Sequence, residues 1–100
     1  MSFGLSENNI EKIKSVLKGS PFIEKAIIFG SRAKGNYKEG SDIDLAIKGN
    51  ISFSDFLITS VKLEELNLPY KIDLVDYNAI KDTAVIEHIN RAGIIFYKKQ

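Results

Sequence analysis

The chain contains no cysteine and only two prolines in 100 residues. Without cysteine there is neither a disulfide framework nor a thiolate zinc site, which fits a reducing cytoplasm. Charge of one sign is equally scarce. Fourteen Lys and Arg stand against thirteen Asp and Glu, a formal net charge of +1. That balance supplies no basic stripe of the kind that binds nucleic acid, so stable nucleic-acid binding is not expected. No apolar run approaches the ~20 residues needed to span a bilayer. The opening Met1-Ser2-Phe3-Gly4-Leu5 lacks the basic and apolar regions of a secretory leader. What remains is ordinary globular material, 44% hydrophobic and 27% charged. A chain this short buries only about 60–65% of its unfolded surface. One domain over residues 1–100, located in the cytoplasm without a membrane segment, is the expectation.

Against that plain background, residues 30–47 carry chemistry. A Gly30-Ser31 turn with two cations, Arg32 and Lys34, is followed by Asp42-Ile43-Asp44-Leu45-Ala46-Ile47. The apolar run reads as a strand, in which side chains alternate faces, so Asp42 and Asp44 share one face and Ile43, Leu45 and Ile47 the other. Two carboxylates ~4 Å apart repel by roughly 1 kcal/mol in water and ~4 near a protein surface. A hard cation between them removes that cost, and magnesium, which takes one or two carboxylates plus substrate phosphates, is the natural occupant. Aspartate is depleted in strands and costly to bury unpaired, which sets Asp44 apart from the many aspartates that only cap turns. Gly30 and Ser31 alone would read as a tight turn and an N-cap. Ahead of the acid pair, they read as a place where backbone N–H groups approach a phosphate. The few local cations suit one triphosphate better than a duplex. Arg32 and Lys34 are either solvated charges or phosphate contacts, and the planar fork of arginine suits phosphate oxygens.

The rest of the chain supplies a frame. Ser6 caps a predicted first helix with Ile10, Ile13, Val16 and Leu17 on one face, and Gly19 ends it. Lys25–Phe29 reads as a buried strand running into Gly30, and Asp42–Lys48 as the next strand. Ser52 and Asp55 resemble a capping box for a helix from Phe53 to Leu66, predicted to bury Phe53, Phe56, Leu57, Val61 and Leu63. Lys71–Val75 is a third strand, a helix over Asp82–Ala92 follows, and Ile94–Tyr97 is a short fourth strand. This order implies an α/β or α+β domain with a mixed sheet flanked by helices. His88, the sole histidine, reads as a helix-surface or partly packed residue. Asp76 reads as a turn or cap, Tyr37 and Lys38 share the loop before the acids, and Lys98-Lys99 reads as a solvated tail.

Gly30-Ser31, ten residues, then Asp42-x-Asp44 resembles the signature of minimal nucleotidyltransferases of the DNA polymerase beta superfamily. The turn Gly30-Ser31-Arg32-Ala33-Lys34-Gly35 matches their phosphate-binding turn, with lysine where arginine is common. Family members carry a third carboxylate on the next strand. Ile72-Asp73-Leu74-Val75-Asp76 fits that context, and Asp73 is the matching position. The resemblance covers essentially the whole chain and implies the polymerase-beta-like fold. It also implies transfer of a nucleoside monophosphate from a triphosphate. Two-metal transfer needs oxygen ligands that hold two divalent ions together, and Asp42, Asp44 and Asp73 supply oxygens. On this resemblance they are the catalytic and metal residues for two Mg2+ ions, while Gly30, Ser31, Arg32 and Lys34 hold the phosphates of ATP.

Minimal members of this size commonly stand beside a helical HEPN-domain ribonuclease toxin and act as its antitoxin, adenylylating a tyrosine of the toxin. A chain of 100 residues has little room for an acceptor-binding domain, which agrees with an acceptor that brings its own surface. Such a partner calls for an exposed apolar patch, expected on the first and last helices. Two alternatives stand beside this reading: an antitoxin that inhibits by binding alone, and a transferase acting on a small hydroxylated molecule. A homo-oligomer is left open.

Overall fold

In the computed structural model, which describes residues 2–100, two central strands carry the core: β1 (Ile23–Phe29) and β2 (Ile43–Gly49). Met1, the first residue of the segment read for a leader, lies outside the described residues. β1 pairs antiparallel with β2, setting Phe29 opposite Asp44 and Ile27 opposite Ala46. β3 (Ile72–Asp76) runs parallel to β2 on its far side, and β4 (Ile94–Lys98) runs antiparallel to β1, giving the sheet order β3-β2-β1-β4. The mixed sheet and the predicted order of helices and strands are therefore observed.

The two faces of this sheet are unequal. On one face Ile43, Leu45, Ile47, Ile23 and Ile28 meet α1 (Glu7–Lys18) and α3 (Phe53–Glu64), which contribute Ile10, Ile13, Leu17 and Leu63. Side chains at positions i, i+3 and i+7 lie on one helical face, and α1 follows this pattern under its Ser6 cap. Leu5, ahead of that cap, is fully buried in the same cluster. On the opposite face a single helix, α4 (Thr83–Ala92), presses Ile89 onto Ile27 and Ala46. α2 (Ser31–Lys34) is one turn, and a 3-10 turn at Tyr77–Ala79 follows β3.

Three expectations are corrected. Of the five residues predicted to be buried on α3, Phe56 and Leu63 do pack inward, but Phe53, Leu57 and Val61 are 75%, 46% and 53% exposed and lie on its outer face. Thr59, not among those five, joins Phe56 and Leu63 on the packed side, and the Ser52–Asp55 capping box is present as read. The reason lies in its composition: α3 is apolar nearly all round, so periodicity alone does not choose the side that meets the sheet. The exposed apolar patch consequently lies on α3, with Ile94 and Ile95 exposed at the start of β4, rather than on α1 and α4. Finally, Lys98 belongs to β4, and Lys99 is tied by its N–H to the Glu24 carbonyl and by Nζ to the Pro21 carbonyl.

This rotation of α3 is open to test. Leu63→Ala should cost about 2–4 kcal/mol of stability by removing a buried side chain. Leu57→Ser should stay within about 0.5 kcal/mol, as exposed substitutions do. Urea denaturation of the two variants separates the faces.

Candidate active site

The acids are gathered by backbone register. In the parallel β2–β3 ladder Asp44 stands directly opposite Asp73. Asp42 lies two residues before Asp44, at the start of β2, and so on the same face. That face is the one α4 covers, but α4 stops short of the strand ends, leaving Asp44 half-buried and Asp42 and Asp73 exposed. Burial pushes the Asp44 carboxyl above its ordinary value, the Asp73 and Asp42 carboxylates push it further, and His88 opposes them. Asp44 and Asp73 thus share a face and a ladder position, with Asp42 on the same face. They do not close into a cage. Among the described residues, no three His, Cys, Asp or Glu side chains form a group tight enough to hold a metal ion. The donor chemistry nonetheless fits a hard divalent ion such as magnesium, since all three side chains offer carboxylate oxygen.

β1 delivers the glycine turn to the same place. Phe29 is the ladder partner of Asp44, and Gly30 follows with φ +75°. A Cβ added at Gly30 would collide with Asp44 Oδ2, so this position excludes a side chain on two counts, its positive φ and its contact with the acid. Glycine thus brings the turn against the carboxylate itself. Ser31 opens α2 half-buried, and Lys34 at its end is exposed. The Lys38–Ser41 turn closes the loop, with the Lys38 N–H donating to Ser41 Oγ and the Ser41 N–H donating to the Lys38 carbonyl.

Arg32 departs from expectation. It is 2% exposed and directs its guanidinium inward. Nε and Nη2 donate to the Ser41 carbonyl at 3.0 and 2.8 Å, and Nη1 to the Phe3 carbonyl at 2.9 Å. The rings of Tyr37 and Tyr70 lie 5.3 and 4.6 Å from it. A buried fork already bonded to carbonyls is not the free phosphate ligand that its place in the turn suggested.

His88 is partly packed, as read, against Phe29, with ring centroids 6.1 Å apart and edge-on. Its relation to Asp44 was not legible in sequence, because it depends on which face of the sheet α4 covers. Asp76 caps the 3-10 turn by accepting from the Asn78 N–H, as its turn reading implied. A cleft of about 350 Å³ adjoins Asp73, with Tyr70, Lys71, Asn67 and Glu64 in its wall.

A mixed sheet with an aspartate pair on one strand, a third on its parallel neighbour and a glycine turn abutting them defines a nucleotidyltransferase fold. The chain belongs to the family described as Polymerase beta, Nucleotidyltransferase, whose model matches residues 11–100. Among its relatives is a Methanocaldococcus jannaschii protein named as a candidate protein adenylyltransferase, 34% identical over 90 residues that make up 90% of this chain and 73% of that protein. A toxin–antitoxin structure with AMP-PNP shares the fold at a TM-score of 0.74 and 24% identity, covering 92% of this chain and 75% of that one. The MNT antitoxin in complex with a tri-AMPylated HEPN toxin from Shewanella oneidensis superposes at a TM-score of 0.70 with 21% identity, over 96% of this chain and 75% of its own. Among the described residues no helix is long and apolar enough to cross a membrane.

The charge crowding at Asp44 has a signed consequence. A carboxyl whose value is raised by folding holds its proton in the native state after the unfolded chain has released it. Its contribution to stability is therefore complete below the ordinary carboxylate range and is lost as pH rises through the raised value. Asp44→Asn should remove this loss. The variant should melt a few degrees above the parent near neutral pH in metal-free buffer, and the difference should vanish toward pH 3. Thermal melts across that pH range provide the check.

Proposed function

We propose that this chain transfers AMP from ATP to a hydroxyl, a tyrosine by preference, of a helical HEPN toxin partner in the cytoplasm, and so acts as its antitoxin. One observation carries the reading: Asp44 and Asp73 are ladder partners, and Gly30 abuts the Asp44 carboxylate, so phosphate turn and acids form one continuous site. The names of the adenylyltransferase relative and of the HEPN-bound neighbour support the acceptor class.

Asp42, Asp44 and Asp73 would hold two magnesium ions, which when bound neutralise the charge that develops on the transferred and leaving phosphates. The Gly30-Ser31 backbone and Lys34 orient the β and γ phosphates, and Arg32 is no longer assigned to that set. Asp73, exposed on β3, would take the proton of the incoming hydroxyl. The acceptor oxygen then bonds to the α phosphorus as its bond to the bridging oxygen breaks, and pyrophosphate leaves. The exposed apolar face of α3 favours one alternative, inhibition by binding alone.

Incubation with magnesium, ATP and a HEPN protein should add adenylate mass to the partner, and EDTA should prevent it. Asp44→Asn should lower the rate at least about 100-fold, because a neutral amide does not balance divalent charge. Mass spectrometry reads both. Stoichiometric inhibition of the partner without added mass would establish the binding-only alternative.

A further inference from the structure

We propose that Arg32 is a positioning residue, a buried clamp that sets the separation between the glycine turn and the two acid-bearing strands. Its effect on transfer rests on the function proposed above; its structural role does not. The guanidinium lies where four segments meet. It rises from α2, directly after Gly30-Ser31. Its Nε and Nη2 grip the carbonyl of Ser41, the residue before Asp42. Its face stacks on Tyr70, three residues before Asp73, in the segment whose Lys71 carbonyl accepts from the Ile43 N–H at 2.8 Å. Its Nη1 holds the Phe3 carbonyl, beside Gly4, where an added Cβ would strike the Tyr37 ring and crowd Nη1.

Each contact uses a property specific to arginine. Two parallel N–H bonds to one carbonyl need the planar fork, and stacking between two rings needs a flat, weakly hydrated cation. The buried charge is met by carbonyl dipoles and ring faces rather than by carboxylates. An acid partner here would have added a fourth negative group beside Asp42. The clamp thus links turn and acids without entering their charge balance.

Lysine at this position keeps the charge but loses the fork, so Arg32→Lys is the informative variant. Two measurements on the whole chain separate a clamp from a phosphate ligand: amide hydrogen exchange without ligand, and titration with AMP-PNP with and without magnesium. In Arg32→Lys, amides of residues 38–44 should exchange about tenfold faster while those of α1 stay unchanged, a local loosening rather than global unfolding. AMP-PNP affinity without metal should stay within about threefold, while the magnesium concentration giving half-maximal tightening should rise about tenfold. Tyr70→Leu should move both readouts the same way, and Tyr70→Phe, which keeps the ring face, neither. Unchanged exchange in Arg32→Lys, or a tenfold loss of metal-free affinity, would overturn the clamp. Should Arg32→Lys fail to fold, the two Tyr70 variants decide by the same criteria. If the parent protein bound no AMP-PNP under any condition, the transferase reading would fall, and hydrogen exchange alone would still decide the clamp.

Discussion

Two carboxylates set opposite each other by a ladder of backbone hydrogen bonds, with a third just ahead of the strand, are the constraint on which this structure turns. The β2–β3 register leaves Asp44 and Asp73 no freedom to separate except by side-chain rotation. At ~4 Å a pair of such charges costs about 4 kcal/mol at the dielectric of a protein surface. The same strand supplies the compensation on its other side. Ile43, Leu45 and Ile47 are fully buried, and each contributes about 1.5–3 kcal/mol. Alternation of faces along one strand therefore lets an apolar core hold a charge cluster that would not assemble alone.

The glycine turn follows from the same geometry. Because β1 is antiparallel to β2, its end lies beside the start of β2, and Phe29 meets Asp44. Whatever follows Phe29 must pass within contact distance of that carboxylate, and only glycine does so without collision. The requirement for Gly30 thus arises first from the acid and only then from any phosphate. α4 completes the arrangement from the covered face, packing Ile89 on Ile27 and setting His88 against Phe29.

The strands and acids were legible because their signals are local. Asp44 amid Ile43, Leu45, Ala46 and Ile47 declares both its strand and its face through alternation alone. Ser6, Ser52 and Asp82 likewise mark helix starts, and each accepts the capping bond its position implies. Two features failed for a shared reason: they depend on distant partners. On α3, apolar residues at Phe53, Phe56, Leu57, Ile58, Val61 and Leu63 encircle most of the helix, and only the position of α1 and the sheet selects Phe56 and Leu63. Arg32 beside Gly30-Ser31 has the local look of a phosphate ligand. Its actual partners, Phe3 and Tyr70, lie far off in sequence and carry no motif that announces an arginine.

That contrast bears on how such a small site works. A site carried by so few elements has few contacts with which to hold its reacting groups still. Positioning to within a fraction of an ångström is where much of the barrier reduction in such reactions originates. Here rigidity comes from few, well-satisfied contacts: a parallel ladder for two acids, a side-chain-free turn against one of them, and a buried cation drawing the surrounding loops inward. None of these contacts reaches outward to an acceptor. The surfaces that do face outward are the cleft beside Asp73 and the apolar side of α3, which differ in chemistry. The cleft, walled by Glu64, Asn67 and Lys71 together with Leu63, Leu68 and Leu74, has room for a single side chain, whereas an apolar helix face suits a protein. A partner that used both would be held by its bulk on one and modified through one residue at the other.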